Sequence, residues 1–169
     1  MDANNLTKIE SNSFQQLNKL KQLYLHHNKI AQIDLDVFKG LYNLQELYLS
    51  ENKLTRIKAN SFQCLRKLKI LDLSFNHIEH LDPYGFNGLQ NLEILNLNGN
   101  RFTKIKTSSF QILIKLKILD LSHNLIEQIY WDELRGFHRL ENLCLTENQL
   151  DYDQLEEAMS IKQYLKILK

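Results

Sequence analysis

Histidine and glutamate side chains are the residues of this chain best suited to bind a metal ion. His27 precedes Glu51 by 24 residues, and His123 precedes Glu147 by the same interval. Imidazole and carboxylate groups both ligate zinc, but a structural zinc site takes four such ligands. Each pair supplies only two, and the neighbouring His26 does not complete a set. We therefore predict solvated histidines, with no metal and no other cofactor.

The short motifs that organise catalysis are also missing from the sequence. It contains neither a glycine-rich phosphate loop nor a nucleophile elbow, so we predict that the protein is not an enzyme. The 21 basic and 20 acidic residues leave a net charge of +1, which argues against a nucleic-acid partner. No run of about 18 apolar residues is present, so we predict no transmembrane segment.

Tyrosine and isoleucine side chains recur at the same 24-residue spacing and suit a different chemistry, the recognition of a protein. Tyr24 pairs with Tyr48 in this way, and Ile70, Ile94 and Ile118 form a series. Tyrosine provides a large contact area at a low entropic cost. An apolar centre with a polar rim is typical of binding patches. The alternative for the isoleucines is that β-branched residues simply suit a strand.

The predicted binding face combines these residues with acidic, amide and aromatic side chains at equivalent repeat positions. Its members are Tyr24, His27, Glu46, Tyr48, Glu51, Ile70, Asp72, Phe75, Ile94, Asn96, Ile118, Asp120 and His123. The face contains carboxylates but no lysine or arginine. Charge complementarity therefore predicts a basic protein as the ligand.

Basic residues are placed on the flanks and the back of the predicted structure instead. They are Lys29, Lys53, Arg56, Arg66, Lys67, Lys69, Arg101, Lys104, Lys115 and Lys117. Such charge commonly serves solubility. The alternative is that an anionic glycan or lipid binds to this basic surface.

Asparagine reveals the unit that positions all of these side chains. It recurs every 24 residues without a slip, as Asn4, Asn28, Asn52, Asn76, Asn100, Asn124 and Asn148. Around it the sequence reads Leu-x-x-Leu-x-Leu-x-x-Asn-x-(Leu/Ile/Phe)-x-x-(Ile/Leu), which we call the frame. A period of this length indicates stacked repeats. The alternating leucines predict a short strand in each repeat, and these strands form one parallel sheet on the concave side of a curved solenoid.

The frame divides the chain into a solenoid over 1–150 and a C-terminal helical cap over 151–169. A half repeat at 4–19 precedes full repeats at 20–43, 44–67, 68–91, 92–115 and 116–139, and the last repeat opens at residue 140. Beyond Leu150 the period breaks. Asp153 with Glu156, or Asp151 with Gln154, fits a capping box. Leu155, Ala158, Met159, Leu165 and Leu168 fit one helical face. A repeat array needs its last coil covered, although this helix could instead bind a partner.

Two series of side chains are predicted to hold neighbouring repeats together. An asparagine ladder, formed by Asn28, Asn52, Asn76, Asn100, Asn124 and Asn148, bonds backbone groups that the turn after each strand leaves unpaired. A phenylalanine spine lies beneath the convex side and comprises Phe14, Phe38, Phe62, Phe86 and Phe110. The next position holds Leu134, where Phe137 could compensate.

The ends and the cysteines give further expectations. The first coil is covered on only one side, which predicts self-association through the N-terminal end as an alternative function. Cys64 and Cys144 lie on coils too far apart for a disulfide, so both should be free thiols. Asn5-Leu6-Thr7 is the only glycosylation sequon.

The frame, with its asparagine and phenylalanine positions, resembles the typical class of leucine-rich repeats over residues 4–150. This class occurs in Toll-like receptor ectodomains, insect leucine-rich immune proteins, Slit and the variable lymphocyte receptors of jawless vertebrates. The resemblance implies an α/β-type repeat solenoid, a curved horseshoe with a parallel concave sheet and an irregular convex side. It also implies a non-catalytic recognition role, in innate immunity or adhesion. An extracellular or secreted location is favoured over a cytoplasmic one.

Overall fold

The structure is a stack of 24-residue coils, each of which contributes one three-residue strand to a common sheet. The computed structural model describes residues 4–105, 110–130, 137–151, 153–154, 156 and 166–168. Its strands are β1 (Gln22–Tyr24), β2 (Glu46–Tyr48), β3 (Arg56–Ile57), β4 (Ile70–Asp72), β5 (His80–Leu81), β6 (Ile94–Asn96), β7 (Lys104–Ile105), β8 (Ile118–Asp120), β9 (Gln128–Ile129), β10 (Asn142–Cys144) and β11 (Lys166–Leu168).

The main sheet is parallel and runs in the order β1-β2-β4-β6-β8-β10-β11. Each strand pairs with the next in a register of 24 residues, so that Leu47 lies beside Leu71 and Leu95 beside Leu119. These central leucines are buried, and the residues on either side of them point out of the core. The predicted repeat solenoid with one parallel sheet is therefore confirmed.

The return segments are more regular than the predicted irregular convex side. β3 pairs with β5, and β7 pairs with β9, as two short parallel ladders. Ile57, Ile105 and Ile129 are buried here, and they align the backbones of adjacent coils closely enough to pair. Within the described ranges, α-helical conformation is limited to Asp153, Gln154 and Glu156.

The helical cap predicted over 151–169 is wrong at its end. Lys166–Leu168 form β11, which pairs with β10 and places Ile167 beside Leu143. The reason is that Ile167 lies 24 positions after the frame leucine Leu143, so the 24-residue period continues into this segment. The start of the predicted helix is supported, because Asp151 Oδ1 accepts a 2.8 Å hydrogen bond from the Gln154 N–H. The predicted face residues Leu155, Ala158, Met159 and Leu165 lie outside the described residues.

A continuous row of phenylalanine rings fills the interior beneath the return segments. Neighbouring ring centroids of Phe14, Phe38, Phe62, Phe86 and Phe110 are 5.4–6.4 Å apart. Phe137 continues the row at 6.3 Å from Phe110 in an edge-to-face arrangement. Its compensating role was predicted from the sequence, whereas Leu134 lies outside the described residues.

The asparagine side chains join each coil to the coil before it. The Asn52 amide donates to Leu49 O (3.0 Å) in its own coil and to Leu25 O (2.9 Å) in the preceding one. Its Oδ1 accepts the Ile30 N–H at 3.0 Å. Asn28 through Asn124 in this ladder are buried. Since these backbone groups have no access to water, the side chain is their substitute for solvent.

Two remaining features concern the chain as a whole. Cys64 and Cys144 are free thiols. Among the described residues, no helix is long and apolar enough to cross a membrane. Association through the first coil stays a prediction, which light scattering over a range of protein concentrations would measure.

Replacing Asn76 with alanine should lower the free energy of unfolding by about 3 kcal/mol, because several buried backbone groups lose their partners. The Asn76 amide donates to Leu49 O and Leu73 O, and its Oδ1 accepts the Leu54 N–H. Urea denaturation would measure the change. The matched control is Asn43→Ala, which removes a more exposed amide bonded to Asn18 O and should cost under about 1 kcal/mol. Equal losses in the two variants would contradict the role of the ladder.

Candidate functional site

The candidate site is the concave face, formed by the residues on either side of the buried leucine of each strand. The position before the leucine holds Gln22, Glu46, Ile70, Ile94, Ile118 and Asn142, and the position after it holds Tyr24, Tyr48, Asp72, Asn96, Asp120 and Cys144. All of these side chains are exposed or half-buried. β11 continues the sheet beyond β10, with Lys166 in register with Asn142 and Leu168 in register with Cys144.

Tyr24 and Tyr48 stack face to face at the first two strands, with ring centroids 5.0 Å apart and planes 1° from parallel. Glu46 anchors the stack, because its Oε2 accepts hydrogen bonds from the Tyr48 hydroxyl (3.0 Å) and from Gln22 Nε2 (2.9 Å). The Tyr24 hydroxyl in turn donates to Gln22 Oε1 at 3.3 Å. We call these four residues the tyrosine cluster. His26 packs edge-on against it, 6.0 Å from the Tyr24 ring.

The electrostatics of the tyrosine cluster favour a neutral phenol beside a charged carboxylate. Burial, together with the hydrogen bond and the negative charge of Glu46, raises the pKa of Tyr48 to about 12. Weaker contributions come from Tyr24 and Asp72. Tyr48 therefore remains a hydrogen-bond donor to Glu46 throughout the physiological range.

His27 Nδ1 and Glu51 Oε2 lie 2.7 Å apart at the edge of the same region, and both side chains are about half exposed. The structure thus brings together one of the two predicted histidine–glutamate pairs. His123 and Glu147 are both described and make no such contact. No group of three or more metal-ligating side chains occurs in the part of the chain that the structure describes.

Three isoleucines form an isoleucine ridge along the middle of the concave face. Ile94 lies between Ile70 and Ile118 in direct strand register, and all three side chains are half-buried. Phe75 follows Ile70 by five residues, beyond the end of β4, and is 57% exposed. Its ring lies over Gly99, where an added Cβ would come within 2.7 Å of the ring. The Phe75 ring therefore occupies space that is open because residue 99, on the next coil, is a glycine.

Asp72, Asn96 and Asp120 have a local role that the sequence reasoning missed. Asp72 Oδ1 accepts the backbone N–H and the hydroxyl hydrogen of Ser74, and Asp120 bonds Ser122 in the same way. Asn96 Oδ1 accepts the Asn98 N–H. The recurring Asp-x-Ser triplet is the feature of the sequence that could have predicted these hydrogen bonds. These side chains hold the turn after each strand, and the two aspartates also add negative charge to the face.

The predicted site residues therefore fall into separate groups. Tyr24, Glu46 and Tyr48 are in mutual contact, with His27 and Glu51 paired nearby. The isoleucine ridge lies on the following coils, and Phe75 lies on the first of these coils. His123 lies on the same coil as Ile118, and in the described part of the chain its side chain forms no hydrogen bond or ion pair with another predicted site residue.

The family comparison covers most of the chain. A family model described as "Leucine rich repeat" matches residues 23–78, 66–113 and 90–150. Epiphycan of Mus musculus is 47% identical over 51 residues, which are 30% of this chain and 16% of epiphycan. Opticin of Homo sapiens is 43% identical over 51 residues, which are 30% of this chain and 15% of opticin. Osteomodulin of Mus musculus is 41% identical over 56 residues, 32% of this chain and 13% of that protein.

A solved structure agrees with the family match. The crystal structure of a TLR13–ssRNA13 complex superposes with a TM-score of 0.75 at 31% sequence identity, and covers 83% of this chain and 20% of that one. The chain thus spans under a quarter of the length of each of these relatives. Epiphycan, opticin and osteomodulin are secreted proteins of the extracellular matrix.

The relatives and the matched family are non-enzymatic recognition proteins. The family model, the 24-residue register and the asparagine ladder all lead to one assignment. This chain belongs to the leucine-rich repeat family.

Proposed function

We propose that the concave face binds a basic segment of a protein partner. The observation that supports this most directly is the Tyr24–Tyr48 stack, which the Glu46 carboxylate anchors. Tyr24 is 41% exposed, so its ring is available to a ligand. Because stacking and hydrogen bonds already fix these side chains, binding costs little further side-chain entropy.

A lysine or arginine of the partner fits this cluster for two reasons. A cation against a tyrosine ring gains about 0.5–1 kcal/mol at an exposed site. The carboxylates of Glu46 and Glu51 add attraction and steer the approach of a basic ligand. Glu51 already pairs with His27, so the cation would share this carboxylate with a partly exposed imidazole.

The isoleucine ridge would contact an apolar part of the same ligand. Ile70, Ile94 and Ile118 present a continuous half-buried surface on neighbouring strands, and the exposed Phe75 ring lies on the same coil as Ile70. Covering such a surface excludes water from the centre of an interface, where most of the binding energy is concentrated. A ligand with a basic residue followed by apolar residues matches the order of the two groups along the sheet.

The solved relative forms a complex with single-stranded RNA, but RNA suits this concave face less well. The carboxylates of Glu46, Glu51 and Asp72 would repel a phosphate backbone, whose neutralisation requires lysine and arginine. We place the proposed recognition outside the cell, in adhesion or innate immunity. The secreted relatives and the Toll-like receptor match support that setting.

The binding proposal can be tested by selecting a phage-displayed random peptide library on the immobilised protein. Enriched peptides should contain lysine or arginine next to apolar residues. A synthetic peptide from the selection should bind the Tyr48→Ala and Ile94→Ala variants at least about 1 kcal/mol, or about fivefold, less tightly. Calorimetric titration would measure both affinities.

Matched controls are Tyr84→Ala and Ile114→Ala, which remove the same residue types outside the concave face. Tyr84 is 67% exposed and Ile114 is 55% exposed. Affinity in these variants should remain within twofold or so of wild type, because isolated exposed residues rarely contribute to a distant interface. Equal losses at Tyr48 and Tyr84 would contradict the location of the site, and enrichment of acidic peptides would contradict its charge preference.

The contact between Tyr48 and Glu46 predicts a specific pH dependence of stability. The pKa of Tyr48 rises from 10.0 in the unfolded chain to about 12 in the folded one, so the stabilising contribution is complete below pH 10 and is lost as the pH rises through about 12. Wild type should be more stable than Tyr48→Phe at neutral pH, and the difference should shrink between these two values. Urea denaturation at a series of pH values would measure it. A constant difference across this window would contradict the assigned shift.

A further inference from the structure

Lysine pairs recur on every second coil, immediately before the strands of the main sheet. Lys19-Leu20-Lys21 precedes β1, Lys67-Leu68-Lys69 precedes β4, and Lys115-Leu116-Lys117 precedes β8. The coils between them carry mainly amides at these positions, Asn43 with Gln45 and Asn91 with Glu93. We call the six lysines the lysine edge.

The amides between the lysine pairs fix the lysine side chains without cancelling their charge. Lys67 Nζ donates to Asn43 Oδ1 at 2.6 Å, and Lys115 Nζ donates to Asn91 Oδ1 at 2.7 Å. A neutral amide acceptor does not itself cancel the ammonium charge. The Glu93 carboxylate, whose pKa is lowered chiefly by its hydrogen bond to Lys117, also attracts Lys69 and Lys115. Lys117 differs, because it forms an ion pair with Glu93 at 2.7 Å.

The lysine edge is a narrow line that runs across the coils. Adjacent strands are about 4.8 Å apart, so pairs on alternate coils recur at roughly 10 Å intervals. The leucines between the lysines point inward, and Leu68 and Leu116 are buried. This edge therefore presents lysine pairs at regular intervals to solvent, with the exposed Ile114 beside Lys115 and the Glu93 carboxylate beside Lys117.

An open cleft adjoins the middle of the edge. Its volume is about 510 Å³, and its walls include Tyr42, Arg66 and Lys67. Tyr42 is 52% exposed, and Arg66 is also exposed. The cleft thus offers two cations and one aromatic face at a single point along the line of lysines.

We propose that the lysine edge binds a sulfated polysaccharide, whose chain runs across the coils and places sulfates against successive lysine pairs. The linear, regularly spaced charge fits a linear polyanion. The amides of Asn43 and Asn91 are suited to hydrogen-bond sugar hydroxyls, and the Tyr42 ring can pack against a sugar face. The site is separate from the concave face, so either proposal can fail without the other.

Two other polyanions fit the edge less well. A bilayer-binding surface normally combines basic residues with a continuous apolar face that inserts between lipids. Here Leu68 and Leu116 face the core, and Ile114 is a single exposed apolar side chain beside Lys115. Single-stranded nucleic acid is bound by stacking successive bases on aromatic side chains. Tyr42 is the single aromatic residue that lines the described cleft.

The experiment measures binding of a heparin oligosaccharide of defined length by calorimetric titration, with the chemically desulfated oligosaccharide as the ligand control. Wild type should bind the sulfated form only. The triple variant K19Q/K67Q/K115Q should bind at least about tenfold more weakly, and the dependence of log affinity on log salt should fall by about one unit per lysine contact removed.

The matched protein control is K29Q/K53Q/R101Q, which removes the same charge from exposed residues on the opposite flank. It should bind within about twofold of wild type, because screened charges at a distance contribute little. Thermal unfolding checks that both variants are folded. Failure of wild type to bind the sulfated form, or equal losses in the two triple variants, would overturn the proposal. Tighter binding to phosphatidylserine vesicles or to single-stranded DNA under the same conditions would overturn the choice of polysaccharide.

Discussion

The pairing of buried backbone groups by asparagine side chains is the constraint on which the structure depends. Each asparagine from Asn52 to Asn148 offers an amide donor to carbonyls of two coils and a carbonyl acceptor to an N–H of the preceding coil, as Asn52 does for Leu25, Leu49 and Ile30. Because these groups are buried, a shift of one residue would leave several of them unpaired at once. The 24-residue period, the strand register and the alignment of exposed side chains all follow from this one side chain.

Most of the fold could be predicted because the features that hold it together repeat in the sequence. The leucines, the asparagines and the phenylalanine row were all readable, as was the substitution of Phe137 for a missing ring. β11 was missed because the segment before it has helical spacing, and because the frame leucines on either side of Ile167 are replaced by Tyr164 and Lys169. The short return ladders were missed because two-residue strands leave no periodic signal.

The sequence predicted which residues line the candidate site, but it did not predict how their side chains contact one another. The 24-residue spacing placed Tyr24 beside Tyr48 and His27 beside Glu51, since register determines neighbours across strands. Spacing could not show that Glu46 would accept the Tyr48 hydroxyl, because that depends on side-chain rotamers. The spacing also could not show that His27 and Glu51 would be in contact while His123 and Glu147, at the same spacing, would not. The same register that aligns carboxylates and rings on one face aligns lysines on another, so two surfaces of different charge share one rigid core.

The direction of the asparagine bonds has a consequence for how the protein is made. The Oδ1 of each asparagine accepts a hydrogen bond from the coil before it. The Ile30 N–H therefore has no such partner until Asn52 is present, and the Leu54 N–H has none until Asn76 is present. During vectorial synthesis from the N-terminus, a newly emerged coil keeps unpaired main-chain groups until the first part of the next coil has left the ribosome. Ordering of the nascent chain therefore lags behind translation by about one coil. Each repeat supplies the asparagine that completes the backbone hydrogen bonds of the repeat before it.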